Sequence, residues 1–194
     1  MSRGRTALVA SLLTCAALVV WVLLVGVPRW YGHTVPATAT PAAATTEATS
    51  AGRKIKARLF YVAEEGTRLS SIEREVPYAA QPVDQAREIL NAQIAPATPP
   101  LVSAIPAGTA LRALFITPEG DAFVDMSRDI AAAHPGGSMN ELLTIYTIVQ
   151  ALTANLPAVT AVQLLVDGKE VDTLAGHVDL RHPLGQNTHM TVEN

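Results

Sequence analysis

The 194-residue sequence is poor in several residue types that mark common protein classes. It has one cysteine, Cys15, so no disulfide can form within the chain, a fact that neither supports nor contradicts an extracytoplasmic location. Charged residues make up only 16% of the chain and aromatic residues 5%, no basic run occurs, and the net formal charge is −3. Because a nucleic-acid-binding surface needs clustered Lys and Arg, these absences argue against a nucleic-acid partner.

Sequence motifs for common catalytic chemistry are also missing. The chain contains neither the G-x-x-x-x-G-K-[ST] nor the G-x-G-x-x-G phosphate-binding loop, and it lacks the G-x-S-x-G elbow of serine hydrolases. The H-E-x-x-H zinc motif is absent as well. The sequence therefore predicts no catalytic residue, no cofactor-binding residue and no metal ligand.

The most prominent feature that is present is a long apolar run near the N-terminus. The stretch Ala7–Val27 contains no charged residue, and as a helix it would span roughly 30 Å, the hydrocarbon thickness of a bilayer. Arg3 and Arg5 precede it, so the positive-inside rule places residues 1–6 in the cytoplasm. We therefore predict one transmembrane helix at residues 7–27, in contact with the lipid bilayer of the cytoplasmic membrane, and an extracytoplasmic C-terminal domain.

Two other interpretations of this run remain open. A cleaved signal peptide has a shorter apolar core with a small-residue cleavage site close behind it, whereas the nearest such site here, Ala37-Thr38-Ala39, lies well beyond the run. A lipoprotein would be modified at Cys15, but Thr14 is bulky for that motif and the apolar run continues after the cysteine. Both interpretations fit the sequence less well than an uncleaved anchor.

Residues 28–52 form a segment with the composition of a linker. From Thr34 to Gly52 the chain consists mainly of Thr, Ala and Pro, with one charged residue. Such a segment cannot bury enough apolar surface to offset the entropy cost of ordering it. We predict a disordered linker over residues 28–52 that leads to one domain at residues 53–194.

Residues 53–194 alternate between strand-like and helix-like patterns. Period-2 alternation predicts a strand, period-3.6 apolar spacing predicts a helix, and Asp-Gly or Pro/Gly pairs predict turns. This mixture predicts an α+β fold with two helices on one face of a small, mostly antiparallel sheet that carries an extra hairpin, and a polar, irregular tail. The predicted strands are Lys54–Val62, Leu69–Val76, Ala110–Thr117, Ala122–Met126, Ala161–Val166 and Glu170–Leu174, and the predicted helices cover residues 81–94 and 138–156.

An apolar stripe runs along each predicted helix and is expected to face the core. In the second helix Thr147 and Gln150 lie away from the stripe, so we expect them to face the other side. The stripes consist of Val83, Ala86, Leu90 and Ile94 in the first helix, and of Met139, Leu142, Tyr146, Val149, Leu152 and Leu156 in the second, where Ile145 and Ile148 widen it.

The stretch "HPGGSMNELLTI" at residues 134–145 opens the second helix. Ser138 followed three residues later by Glu141 matches a capping box, in which the serine side chain accepts from a backbone N–H of the first turn. The two preceding glycines permit positive φ angles. Anion binding at the helix N-terminus and a nucleophilic role for Ser138 are the alternatives, and no supporting motif accompanies either.

Clusters of histidine and carboxylate side chains are the remaining candidates for chemistry. His177, Asp179 and His182, with His189 further along, have the residue types of a zinc or copper site but no cysteine partner, so ordinary surface positions are favoured. Glu64 and Glu65 lie in a predicted turn. Asp125 and Asp129 flank Ser127, where either carboxylate is suited to begin a turn of helix.

Four short motifs occur in an order that resembles a known family. They are "IPAGT", "VDMS", "GGSMNE" and "VDGKE…GHVDL", and the similarity extends over Leu59–Leu184. This succession resembles the GerMN domain of bacterial sporulation and spore-germination proteins. The resemblance implies a non-catalytic cell-envelope domain, carried by lipoproteins or single-span membrane proteins, with a fold similar to the ring-building motif of two helices against a three-stranded sheet. The chain has one copy of the domain, whereas the germination proteins have two.

The anchor, the linker, the lack of catalytic motifs and the resemblance together indicate a function. We expect a non-catalytic, membrane-anchored module that binds an envelope protein or a cell-wall component. The alternatives are an extracytoplasmic hydrolase of wall polymer and a subunit of a ring-like homo-oligomer. A hydrolase should show two convergent acids in a cleft, whereas a binding module should show a convex domain with an exposed apolar strip.

Overall fold

The computed structural model of the protein describes residues 52–192. The predicted anchor at residues 7–27 and the predicted linker up to residue 51 lie outside this range, so the predicted domain limits stay predictions. Among the helices that the structure describes, none combines the length and the apolar character needed to cross a bilayer.

The first two strands form a two-stranded antiparallel sheet, as their alternating patterns predict. Strand β1 (Lys54–Val62) pairs along its whole length with β2 (Leu69–Pro77). Ala57, Leu59 and Tyr61 of β1 share one face and are at most 1% exposed. Alternation therefore identified both this strand and its buried face.

The other five strands form a second sheet, which is mostly antiparallel as predicted, because only one of its four strand pairs is parallel. The β1–β2 hairpin is not part of this sheet but forms a sheet of its own. The five strands are β3 (Leu111–Ile116), β4 (Asp121–Met126), β5 (Ala161–Val166), β6 (Lys169–Glu170) and β7 (Leu184–Gly185). Their order is β3-β4-β5-β6, and β7 also pairs with β5. Strands β4 and β5 are parallel because a helix lies between them in the chain and supplies the crossover that parallel strands require.

The C-terminal part of the chain differs from the prediction at two points. The predicted strand Glu170–Leu174 is reduced to the two-residue β6, because the chain after Glu170 leaves the sheet. The tail, predicted to be irregular, supplies β7 and a 3-10 turn at Thr188–Met190. Hydrophobic periodicity cannot identify two-residue strands, so these elements left no signal in the sequence.

Three helices complete the described region: α1 (Pro82–Ile94), the short α2 (Asp129–Ala132) and α3 (Ser138–Thr153). Pro82 occupies the start of α1, where its missing N–H costs nothing, and Pro96 follows its end. Helix α1 contacts β1, β2 and β3, while α3 contacts β1, β5 and β7. The two long helices therefore join both sheets into one core, and the predicted α+β class is confirmed.

Helix α3 is buried on almost every side, whereas the predicted apolar stripe covers only one side of it. Leu152 is fully buried as expected, but Thr147 and Gln150, expected on the other side, are 0% and 1% exposed. Met139, placed on the stripe, is 40% exposed. A helix that packs against α1 and both sheets has no solvent face along its central turns, so a single apolar stripe underestimates its burial.

The turn between β3 and β4 requires glycine at position 120. Gly120 has φ +97°, and a Cβ atom there would lie 2.9 Å from Thr160 Oγ1 and 3.0 Å from the Ala158 carbonyl oxygen. The Thr160 N–H donates to the Gly120 carbonyl at 2.8 Å. Only a residue without a side chain allows this turn to approach the segment that enters β5.

The outer edge of β1 is closed by side-chain amides instead of a strand. Gln93 of α1 accepts from the Phe60 N–H and donates to the Phe60 carbonyl, both at 2.8 Å. Asn155 makes the same pair of bonds to Arg58, also at 2.8 Å. The Val62 N–H donates to the Val102 carbonyl. Arg58 and Phe60 are thus bonded through both backbone groups, as a neighbouring strand would bond them, and Val62 is bonded through its N–H.

Two other buried amides fasten backbone in the same way. Gln85 of α1 accepts from the Ala79 N–H at 2.9 Å and donates to the Pro77 carbonyl at 3.0 Å. Gln163 of β5 donates to the Leu180 carbonyl at 2.6 Å. These contacts explain why polar residues occupy core positions of helices and strands.

The closure of β1 predicts a large cost for replacing Gln93. Gln93→Leu keeps an apolar side chain of similar size but leaves the buried Phe60 N–H and carbonyl without partners, so we expect unfolding free energy to fall by about 2–4 kcal/mol. Arg87→Ala, at an exposed position of the same helix, should change it by about 0.5 kcal/mol or less. Urea unfolding measures both, and equal costs would contradict the assigned role of the amide.

Candidate functional site

Glu141 forms the most highly coordinated polar cluster in the described region, although it does not form the predicted cap. Its carboxylate is fully buried, and Oε1 accepts from the Leu174 N–H at 2.9 Å and the Ala175 N–H at 2.8 Å. Oε2 accepts from the His177 N–H at 2.9 Å and contacts His177 Nδ1 at 3.0 Å. Glu141 therefore fastens the loop after β6 to the first turn of α3.

The capping box predicted at Ser138 is wrong. Gly137, with φ +86°, occupies the cap position, and Ser138 is the first helical residue, so no side-chain cap bond forms. Glu141 points to the 174–177 loop instead of back to its own helix start. The turn before the helix is held by other bonds: Asn140 donates to the Gly136 carbonyl at 2.8 Å, and the Gly136 N–H donates to His134 Nδ1 at 3.0 Å.

The environment of Glu141 keeps it ionised. Burial acts to raise the pKa of the carboxyl group, but the hydrogen bonds from the backbone of Ala175 and His177 and from the His177 ring outweigh burial and lower the pKa below its ordinary value of 4.5. Three of the four groups that bond the carboxylate are backbone N–H groups, which stay in place when the side chains of those residues are replaced. The cluster is thus a structural fastening with one exposed member, the half-exposed His177 ring.

The candidate metal ligands do not converge. His177 is bound to Glu141, Asp179 is paired with Arg181 through bonds of 2.9 and 2.7 Å, and His182 and His189 are exposed. That ion pair with Arg181 lowers the pKa of Asp179 strongly. Nowhere in residues 52–192 do three or more His, Cys, Asp or Glu side chains form a group that would hold a metal ion.

The carboxylates singled out in the sequence are used in local contacts. Ser127 Oγ donates to Asp129 Oδ2 at 3.0 Å at the start of α2, where a helical turn was predicted. Glu65 pairs with Arg68 at 3.1 Å within the β1–β2 turn, and Glu64 is exposed in the same turn. None of these carboxylates lines a cleft with a second acid.

Asp125 belongs to an ion-paired group at the ends of three strands. Its Oδ1 accepts from the Gly168 N–H at 2.7 Å, and its Oδ2 lies 3.2 Å from Arg112 Nε. Arg112 also pairs with Asp167 at 2.5 Å, and the Asp167 carboxylate accepts from the Arg128 N–H at 3.2 Å. Asp167, at φ +51°, and Gly168 form the Asp-Gly turn that was predicted after β5.

A cleft with apolar walls is a concave feature that could bind another molecule. It has a volume of about 850 Å³ and lies between the C-terminal turn of α1, the segment 103–111 that enters β3, and Pro135. No lining residue is ionisable. The motif Ile105–Thr109 lines it throughout, and the neighbouring Val102 is 58% exposed.

Two of the polar side chains that line this cleft, Ser103 and Thr109, are bonded within the loop itself. Ser103 Oγ accepts from the Ile105 N–H at 3.1 Å, and Thr109 Oγ1 donates to the Pro106 carbonyl at 2.7 Å. The walls therefore offer an incoming group mainly methyl, methylene and proline-ring surface. The signal of this segment in the sequence is its composition, because residues 95–111 are rich in Ala and Pro and include no charged residue.

Comparison with protein families assigns the domain. A family model named Germane, described as sporulation and spore germination, matches residues 58–172, more than half of the chain. The chain belongs to the Germane family. The resemblance seen in the four sequence motifs is confirmed.

One solved structure supports the fold of this Germane domain. The tandem GerMN domains of the sporulation protein GerM from Bacillus subtilis match with 19% identity and a TM-score of 0.54, covering 69% of this chain and 46% of that one. The chain thus spans about half of that tandem. A proposed lipoprotein from Clostridium perfringens matches with 20% identity and a TM-score of 0.49, covering 73% of this chain and 95% of that one. No curated protein sequence matches the chain.

Glu141 predicts an acid-sensitive stability of the Germane domain. A carboxyl group whose pKa is lowered in the folded state contributes stability above its ordinary pKa of 4.5, and this contribution is lost as pH falls through the lowered value. Glu141→Gln replaces one acceptor oxygen by an NH₂ group that faces backbone N–H groups, so at pH 7 we expect a loss of about 2–4 kcal/mol.

Urea midpoints of the wild type and the variant between pH 7 and pH 2 measure this effect. The difference between them should narrow as pH falls below 4.5, because protonation removes the charge from the wild type only. Asp179→Asn, which removes an exposed ion pair, serves as the control and should cost little at any pH. A constant difference down to pH 2 would contradict the ionised state of buried Glu141.

Proposed function

We propose that this protein is a non-catalytic, membrane-anchored module of the bacterial cell envelope that binds a protein partner in the apolar cleft. The observation that carries the proposal is the cleft of about 850 Å³ whose lining has no ionisable side chain. A pocket of this size and character fits the apolar segment of another protein. A cell-wall component remains the alternative ligand of the module.

Several observations support a role in the envelope. The Germane family is described by sporulation and spore germination, and a solved relative is the sporulation protein GerM. The apolar run at Ala7–Val27 and the linker composition of residues 28–52 would hold the domain at a distance from the membrane. A tethered domain meets partners at high effective concentration, so a weak apolar contact suffices for function.

The arrangement of acids favours binding over hydrolysis of wall polymer. A glycoside hydrolase uses two carboxylates on either side of the bond that it cleaves. Asp125 and Asp167 do approach one another, but both are ion-paired with Arg112, and Asp125 is further bonded to the Gly168 N–H. These contacts hold strand ends together, and neither carboxylate lines the apolar cleft.

A homo-oligomer through a sheet edge stays a prediction. The observation in its favour is Phe115 on β3, the terminal strand of the five-stranded sheet, which is 61% exposed. The molar mass of the intact chain in solution, compared between the wild type and Phe115→Lys, would test it; an unchanged monomeric mass in both would contradict it.

Photo-crosslinking from the cleft tests partner binding. A photoreactive amino acid at exposed Ala107, inside the cleft, should crosslink one partner in cells, through a peptide without charged residues. The same residue at exposed Ala80, outside the cleft, should not capture it. An untagged wild-type chain, expressed beside the photoreactive one, should compete for the partner and reduce crosslinking. The variant Ala107→Asp should not compete, because a charge placed in an apolar interface is costly. Its thermal unfolding should equal that of the wild type. Equal capture from both positions would refute the cleft as the binding surface.

The anchor predicts the state of the mature N-terminus. If Ala7–Val27 spans the membrane uncleaved, the protein from membranes should begin near Met1, and protease added from outside should digest residues 53–194. Mass spectrometry of the N-terminal peptide measures this directly. A start near Thr40, or a lipid on Cys15, would contradict the anchor.

A further inference from the structure

Strand β3 ends the five-stranded sheet, and its outer edge pairs with no strand among residues 52–192. The Thr117 N–H donates to the Asp121 carbonyl of β4 at 2.9 Å, so by alternation the backbone groups of Leu114 and Ile116 point away from β4. In the described part of the chain, no backbone or side-chain group bonds them on that side. The N–H and carbonyl groups of both residues are therefore placed to bond another strand.

Other long strands of the domain have protected edges, whereas β3 does not. Gln93 and Asn155 close the outer edge of β1, and both edges of β5 are paired. Strand β2 carries the charged residues Glu73 and Glu75, which discourage strand addition. Residues 113–116 of β3 include no charge and no proline, and the irregularity of β3 lies before them, between Leu111 and Ala113.

One face of β3 presents apolar surface to solvent. Phe115 is 61% exposed, and Ala113, on the same face, is exposed as well. Phe123 of β4 lies opposite Phe115 and is partly exposed. The other face of β3 packs on α1, where Leu114 is buried. A strand added at this edge would gain backbone bonds and at the same time cover aromatic surface.

The charges at the two ends of β3 indicate which strand fits. Arg112 lies at one end; its Nε contacts Asp125 and its Nη1 contacts Asp167, but its Nη2 has no partner within residues 52–192. Glu119 lies in the turn at the other end, exposed and without a bond to any described residue. In an antiparallel pair of two β3 strands, Arg112 of each copy lies near Glu119 of the other. A parallel pair would bring like charges together.

We propose that two copies of this chain pair through antiparallel β3 strands, with Phe115 of one copy opposite Phe115 of the other. Leu114 then exchanges backbone bonds with Ile116, twice by symmetry, and the two five-stranded sheets become continuous. Because such an interface is isologous, it closes after two copies and makes a dimer, not a ring. The pairing deepens the homo-oligomer alternative of the proposed function and is independent of the cleft.

Single-cysteine variants of the full chain, with Cys15→Ser as background, test this register in detergent. Residues opposite each other in a non-bonded antiparallel pair have Cα atoms about 4.5 Å apart, within the range of about 4.4–6.8 Å for a disulfide. Phe115→Cys should therefore form a covalent dimer when oxidised with copper-phenanthroline. Ala113→Cys is the matched control on the same face, because the two copies of residue 113 would lie about 14 Å apart. Equal crosslinking of both variants would overturn the register.

A second experiment keeps Phe115 in place. In the proposed register Ala113 lies opposite Thr117 of the other copy, so a mixture of Ala113→Cys and Thr117→Cys chains should form the mixed disulfide. Absence of the mixed disulfide would overturn the pairing.

Sedimentation of the full chain in detergent tests the charge contact. Glu119→Lys should raise the dissociation constant of the dimer about fivefold, because it places a lysine near Arg112 at two symmetric positions. Glu64→Lys removes another exposed carboxylate, one outside β3, and should leave the constant unchanged. Equal dissociation constants for the two variants would contradict the contact between Arg112 and Glu119.

These measurements separate the β3 edge from the cleft. Residues 112–119 do not line the cleft, so crosslinking of a partner from Ala107 does not depend on dimer formation. A chain that stays monomeric would overturn the β3 pairing and leave partner binding in the cleft untouched.

Discussion

The fold depends on how the outer edge of β1 is satisfied. Three separate parts of the chain meet there: Gln93 from α1, Asn155 from the residues after α3, and the carbonyl of Val102. An unpaired edge attracts other strands, and here the side-chain amides occupy it. Because each amide makes two bonds of fixed geometry, closing this edge also fixes both long helices against the first sheet.

Buried polar side chains elsewhere determine where the loops lie. Glu141 holds the loop after β6, Gln85 holds the end of β2, and Gln163 holds the chain before β7. Apolar burial supplies most of the favourable free energy but is non-directional. Satisfied polar contacts of this kind specify one arrangement among many compact ones.

The sequence predicted the larger elements well because their signals are local. Alternation located β1, and Pro82, Pro96 and apolar spacing located α1 almost to the residue. The amide contacts to β1 were missed because their partners are distant: Gln93 bonds a residue 33 positions away, and Asn155 one 97 positions away. No spacing rule connects such pairs.

The cap at Ser138 failed for the same reason, since the true partners of Glu141 lie beyond β6. The cleft carried a compositional signal only.

The parallel pairing of β4 with β5 has a consequence for the order in which the chain folds. Hairpins β1–β2 and β3–β4 join neighbouring segments, so each can form soon after its residues are synthesised. The second edge of β4 can pair only after α3 has packed and the residues of β5, Ala161–Val166, have been synthesised. Loop-closure entropy makes such non-local pairing slow. Until then β4 is a half-covered apolar strand, so the protein is most prone to aggregation in the interval before its last third has emerged.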